Sequence, residues 1–122
     1  MKYLLLCCIE EARWNGLPAG ERDAVMRDYR AWTERLHQSR RHYGSAQLAS
    51  PASAMTVRQR NGKPFVTDGP FAETKEQFGG YHLVECKDLD EAIALAQAIP
   101  TLRVGGTVEV RPVLEAFEGV GA

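Results

Sequence analysis

The segment Lys2–Ile9 reads KYLLLCCI and is apolar on both of its alternating faces, with Tyr3, Leu5 and Cys7 on one and Leu4, Leu6 and Cys8 on the other. A strand apolar on both sides belongs inside a sheet whose two faces are covered. In so short a chain, helices cover one face, and a second subunit is the simple candidate for the other.

The loop NGLPAG follows, with Pro18 placed near a helix start. Val25, Tyr29, Trp32, Leu36 and Tyr43 then recur at three- and four-residue spacings or their sums, with arginines largely between them. That spacing predicts a helix over 21–43, ended by Gly44. AQLASPASA reads as a short strand interrupted by Pro51, and MTVRQR and PFVT as two strands joined at Asn61-Gly62, a strong hairpin signal. Tyr81–Cys86 is another strand, with His82, Val84 and Cys86 on one face. In DLDEAIALAQAI, Asp88 caps a helix with Glu91 three residues on, Leu89, Ala92, Ile93 and Ala96 form the buried stripe, and Pro100 stops it. The last strand, Thr107–Val113, sets Val108 and Val110 on one face and Thr107, Glu109 and Arg111 on the other. The order is that of an α+β, ferredoxin-like β-α-β-β-α-β fold with an extra central hairpin, an antiparallel sheet and helices on one face.

The length of 122 residues fits one domain over 1–122 with a real core. Fifteen basic and sixteen acidic residues leave a net charge of −1, so no global field draws the chain to nucleic acid or to anionic lipid. No run approaches the ~20 apolar residues of a membrane span. MKYLLLCCIEE meets Glu10 and Glu11 without a cleavage site, which reads as the first strand of a cytoplasmic protein and not as a leader. Cys7, Cys8 and Cys86 are odd in number and lack metal-ligand spacing, so they read as small buried hydrophobes.

The polar chemistry concentrates in TDGPFAETKEQFGG, residues 67–80. Asp68, Gly69 and Pro70 are turn formers, and a carboxylate fixed at a strand end also suits a general base or a ligand-orienting group. Phe71 is expected to plug the core beneath the loop. Thr74-x-x-Gln77 fits a capping box and a single helical turn, whose Glu73, Lys75 and Glu76 either solvate it or point into a cleft beside Asp68. Gly79 and Gly80 let the chain re-enter the sheet or let a ligand approach the backbone, next to Tyr81. His82 is the best acid–base candidate by type, since its free pKa of about 6.5 lies near neutrality, although a strand histidine is more often structural. Glu109 and Arg111 either pair with one another or line a polar pocket between subunits. In RLHQSRRHYG, the basic cluster around His37 reads as a solvated helix end and not as a nucleic-acid surface. There is no P-loop, GxGxxG, GxSxG, HExxH or paired Cys/His set, so nucleotide and zinc chemistry have little support.

VTDGPFAETKEQFGGYHLVE, DLDEAIALA and GGTVEVRPV, together with the opening MKYLLL, resemble the DGPF-domain branch of the YCII-related proteins over essentially the whole chain. The resemblance implies a ferredoxin-like protomer and a homodimer of the dimeric α+β-barrel type, sheet face to sheet face. It also implies bacterial proteins often encoded beside, and sometimes fused to, extracytoplasmic-function sigma factors. More distant members include an enzyme that removes chloride from a chlorinated hydroxyquinol, and a His–Asp pair near the dimer interface has been proposed for others. The histidine of that pair lies on the first helix; here the region reads DYRAWTERLHQ, with His37 shifted from the expected place, so only Asp68 carries over. Two functions follow as expectations. One is a small enzyme without a bound cofactor, performing elimination or isomerisation on a small cyclic or aromatic molecule. In it Asp68 is base or orienter, His82 or His37 its partner, Lys75 or Arg111 stabilises an oxyanion, and Glu73, Gly79, Gly80, Tyr81 and Glu109 help to line the site. The other is a non-catalytic ligand-binding or regulatory dimer working with a sigma factor.

Overall fold

A computed structural model describes residues 1–114. Its elements run β1 (Lys2–Ile9), α1 (Glu11–Asn15), α2 (Ala19–Gln38), β2 (His42–Gln47), β3 (Met55–Arg60), β4 (Lys63–Asp68), β5 (Gln77–Glu85), α3 (Leu89–Gln97) and β6 (Thr107–Pro112). Four strands form an antiparallel sheet in the order β2-β5-β1-β6, and β3 and β4 pair separately as a hairpin. With that hairpin set aside, this is the strand order of the ferredoxin-like α+β fold. β1 is central, as its two apolar faces require.

The core lies between one sheet face and the helices. Tyr3 and Leu5 of β1, and Val84 with Cys86 just past β5, pack against Trp32 and Leu36 of α2 and Ala92 and Ala96 of α3. Leu5 and Val84 are fully buried. Burying a leucine of this kind contributes about 1.5–3 kcal/mol. Leu4, Leu6 and Cys8 lie half-buried on the opposite face of the protomer's sheet. α3 starts as its sequence dictates, with Asp88 Oδ1 accepting from the Glu91 amide at 2.9 Å. The β3–β4 turn is made by Asn61 and Gly62, both at positive φ (52° and 77°), the backbone that a tight hairpin demands.

Several local expectations are corrected. The first long helix ends at Gln38, not at Tyr43, because Arg40 takes the left-handed conformation (φ 59°) and turns the chain; Gly44 lies within β2. The expected strand around Pro51 is instead β2 followed by a 3₁₀ turn over Pro51–Ser53, capped by Ser50. A short helix, α1, occupies the segment after β1, while Pro18 stands directly before α2, as expected. Thr74 to Gln77 forms no helical turn: the Gln77 side-chain amide donates to the carbonyls of Ala72 (3.0 Å) and Thr74 (2.8 Å), fastening the loop while Gln77 itself begins β5. Leu89 and Ile93 are 45% and 38% exposed, so α3 buries a narrower stripe of small residues. Phe71 is 80% exposed and plugs nothing in the protomer. Among the described residues no helix is long and apolar enough to cross a membrane.

Candidate functional site

A cleft of about 780 Å³ opens between α2 and the end of the sheet formed by β1, β5 and β2. Trp14, Met26, Ile9, Leu48 and Phe78 supply much of its apolar wall, and Cys7, Tyr29, Ser45 and His82 supply polar atoms. These four come from four elements. Strand alternation aims Cys7 and His82 at the helix side of the sheet, β2 brings Ser45 opposite His82 in register, and the period of α2 carries Tyr29 above them.

The polar atoms form one chain. Cys7 Sγ lies 3.4 Å from Tyr29 Oη, which lies 2.5 Å from His82 Nε2. His82 Nδ1 lies 2.5 Å from Ser45 Oγ, which lies 2.5 Å from His42 Nε2. The His42 ring in turn sits 4.1 Å, centroid to centroid, from that of His37 on α2. Trp32 meets the His82 ring edge-on at 4.7 Å and helps to fix its plane.

Burial sets the charge states. His82 is 5% exposed, and burial, aided by His42, pushes its pKa down to about 4, so the imidazole is neutral near pH 7. Burial also raises the Tyr29 phenol and the Cys7 thiol, so both keep their protons. Burial and the adjacent His37 lower His42. The result is an uncharged network in which every buried polar side-chain atom among the described residues has a partner.

β5 is shaped to open this cleft. Its register against β1 shifts by one residue between Cys7 and Cys8, which face Gly80 and Phe78. A Cβ on Gly80 would stand 3.0 Å from the Ala46 carbonyl oxygen, so a side chain here would push β2, and Ser45 with it, away from the site.

The residues singled out from the sequence fall in four places. His82, His37, Gly79 and Gly80 line the cleft. Glu73 and Lys75, both exposed, line a smaller hollow of about 400 Å³ beneath the loop, with Glu10 and Glu11. Asp68 ends β4, is exposed, and lines neither hollow; the turn beyond it is held by the Gly69 amide donating to Ala54 (2.7 Å). Tyr81, Glu109 and Arg111 lie on the open sheet face, where Arg111 pairs with Glu109. Tyr29, Ser45, Cys7 and His42 are not marked as site residues by the sequence. Tyr29 read as one more apolar position, and only the pairing of β2 with β5 links Ser45 to His82. Among the described residues, no three His, Cys, Asp or Glu side chains converge in a way that could hold a metal ion.

The family model of the YCII-related domain matches residues 1–116. The chain belongs to the YCII-related family. An uncharacterised protein of Rhizobium meliloti (strain 1021) is 36% identical over 113 residues, 92% of this YCII-related chain and 91% of the relative. Among solved structures, a 5-chloro-2-hydroxyhydroquinone dehydrochlorinase of Burkholderia phenoliruptrix AC1100, in complex with 2,5-dihydroxybenzoquinone, is similar with a TM-score of 0.56. At 14% identity, over 95% of this chain and 96% of that one, the likeness is one of fold.

Proposed function

We propose that this YCII-related protein is an enzyme of proton-transfer chemistry, eliminating or isomerising a small cyclic or aromatic molecule bound in the 780 Å³ cleft without a bound cofactor. The observation that carries the reading is the 2.5 Å contact between Tyr29 Oη and His82 Nε2 in the wall of an otherwise largely apolar cleft. A cleft of several hundred Å³ with apolar walls and a few convergent polar groups suits one ring-sized ligand. The phenol oxygen accepts a hydrogen bond from a ring hydroxyl, and as it takes that proton it passes its own to the neutral imidazole behind it. Electron density released by the lost proton moves into the ring and either expels a leaving group or shifts a double bond. A chlorinated trihydroxybenzene, the substrate class named for the dehydrochlorinase of similar fold, is the first compound to test.

We also propose a homodimer through the open sheet face, where Leu4 and Leu6 are half-buried in the protomer. It would cover the second apolar side of β1.

The deciding experiment follows chloride release and quinone absorbance with 5-chloro-2-hydroxyhydroquinone. Turnover should fall roughly 10²–10⁴-fold in Tyr29→Phe and His82→Gln. Turnover unaffected by either change, or none in the wild type, overturns the assignment. Asp68→Asn provides the comparison: a loss as large as that of Tyr29→Phe would return the chemistry to the acidic corner after β4.

A further inference from the structure

The chain of contacts does not stop at the cleft. Ser45 lines it, but His42 does not; His42 sits half-buried on the edge strand β2, against His37. The network thus leads from a ligand-facing phenol to a ring outside the cleft. We propose that Ser45 and His42 are the proton exit of this site, a relay that passes a proton between His82 and the protein surface while a ligand fills the cleft. The proposal rests on the acid–base role of Tyr29 and His82 argued above.

A buried imidazolium is unfavourable, so His82 serves poorly as a place to leave a proton. A relay removes that difficulty, because each member gives up one proton as it gains another. A proton taken by Tyr29 Oη releases the phenol's own proton to His82 Nε2. The Nδ1 proton of His82 passes to Ser45 Oγ, and the Ser45 proton passes to His42 Nε2. Only the two ends change charge. His82 exchanges one neutral tautomer for the other, and each of the three transfers runs along a contact already in place.

The starting polarity that the relay requires has the His42 proton on Nδ1, so that Nε2 accepts from Ser45 Oγ and Ser45 Oγ accepts from His82 Nδ1. Among the described residues, His42 faces His37 of α2 and, through Ser45, His82 of β5. Nearby Arg41 is paired with Glu91 of α3, and Glu85 with the amino terminus.

Polarity reversal is measurable in the free protein. Bare and protonated imidazole nitrogens differ widely in ¹⁵N chemical shift. With ¹⁵N-histidine label, His82 should carry its proton on Nδ1 while His42 is neutral and move it to Nε2 as His42 takes up a proton on acidification. Ser45→Ala should uncouple the two rings, and Ser45→Thr, which keeps the hydroxyl, should restore the coupling. A His82 tautomer that stays fixed through the His42 titration, or that still switches in a folded Ser45→Ala variant, overturns the relay. Should Ser45→Ala fail to fold, the wild-type and Ser45→Thr titrations decide alone. No substrate enters this measurement, so its failure is separate from failure of the enzymatic reading, which stands or falls on turnover.

Discussion

Acidification should destabilise this protein through His82, by an amount the site itself sets. The ring is neutral in the fold with its pKa near 4, against an ordinary value of 6.5 once the chain unfolds. Above pH 6.5 neither state binds the proton and His82 contributes no pH dependence. Between pH 6.5 and 4 the unfolded chain takes up a proton that the folded one refuses, so stability falls with pH; below 4 both states are protonated and the loss levels off. From pH 7.5 to pH 4.5 the linkage relation gives a loss of roughly 2–3 kcal/mol from this one group. Carboxylates and His42 also respond over this range, so the comparison is with His82→Gln, whose amide can still donate and accept beside Tyr29 and Ser45. Urea melts at fixed protein concentration, followed by Trp14 and Trp32 fluorescence at both pH values, give the difference. Wild type should lose roughly 2–3 kcal/mol more than the variant. Equal losses would refute the claim that burial holds this imidazole neutral.

Gly80→Ala should cost about 1–3 kcal/mol, because the added methyl meets backbone and not a flexible side chain at 3.0 Å; thermal melts check it. Asp88→Ala should lose about 1 kcal/mol with the cap of α3, and a loss near zero would show that the Glu91 amide finds water as an equal partner. For the proposed dimer, Leu6→Lys on the open sheet face should shift sedimentation from dimer to monomer with unchanged circular dichroism, and a wild type that sediments as a monomer at about 50 µM would refute the interface.

What could be read from the chain was whatever repeats locally. The alternation around Leu5 and Val84 placed β1 and β5 and put His82 on the buried face, and Asp88 and Asn61-Gly62 announced their cap and turn. What could not be read depended on distant partners. HYGSAQ has little strand character and becomes β2 because β5 offers it an edge, while Arg40 accepts the positive φ that a glycine would be expected to supply. The acidic loop is conspicuous in sequence for its density of charge, yet the cleft chemistry is assembled from residues 7, 29, 45 and 82, one per element, with no spacing to betray them.

β2 is an outer strand, held by a single ladder to β5, and it carries both Ser45 and His42. Outer strands fray at free energies well below that of global unfolding. The wire is therefore fastened at one end to the rigid heart of the sheet and at the other to its loosest hem, so a brief peeling of six residues disconnects it while the fold survives. Amide exchange across β2, faster than across β5, would time those disconnections.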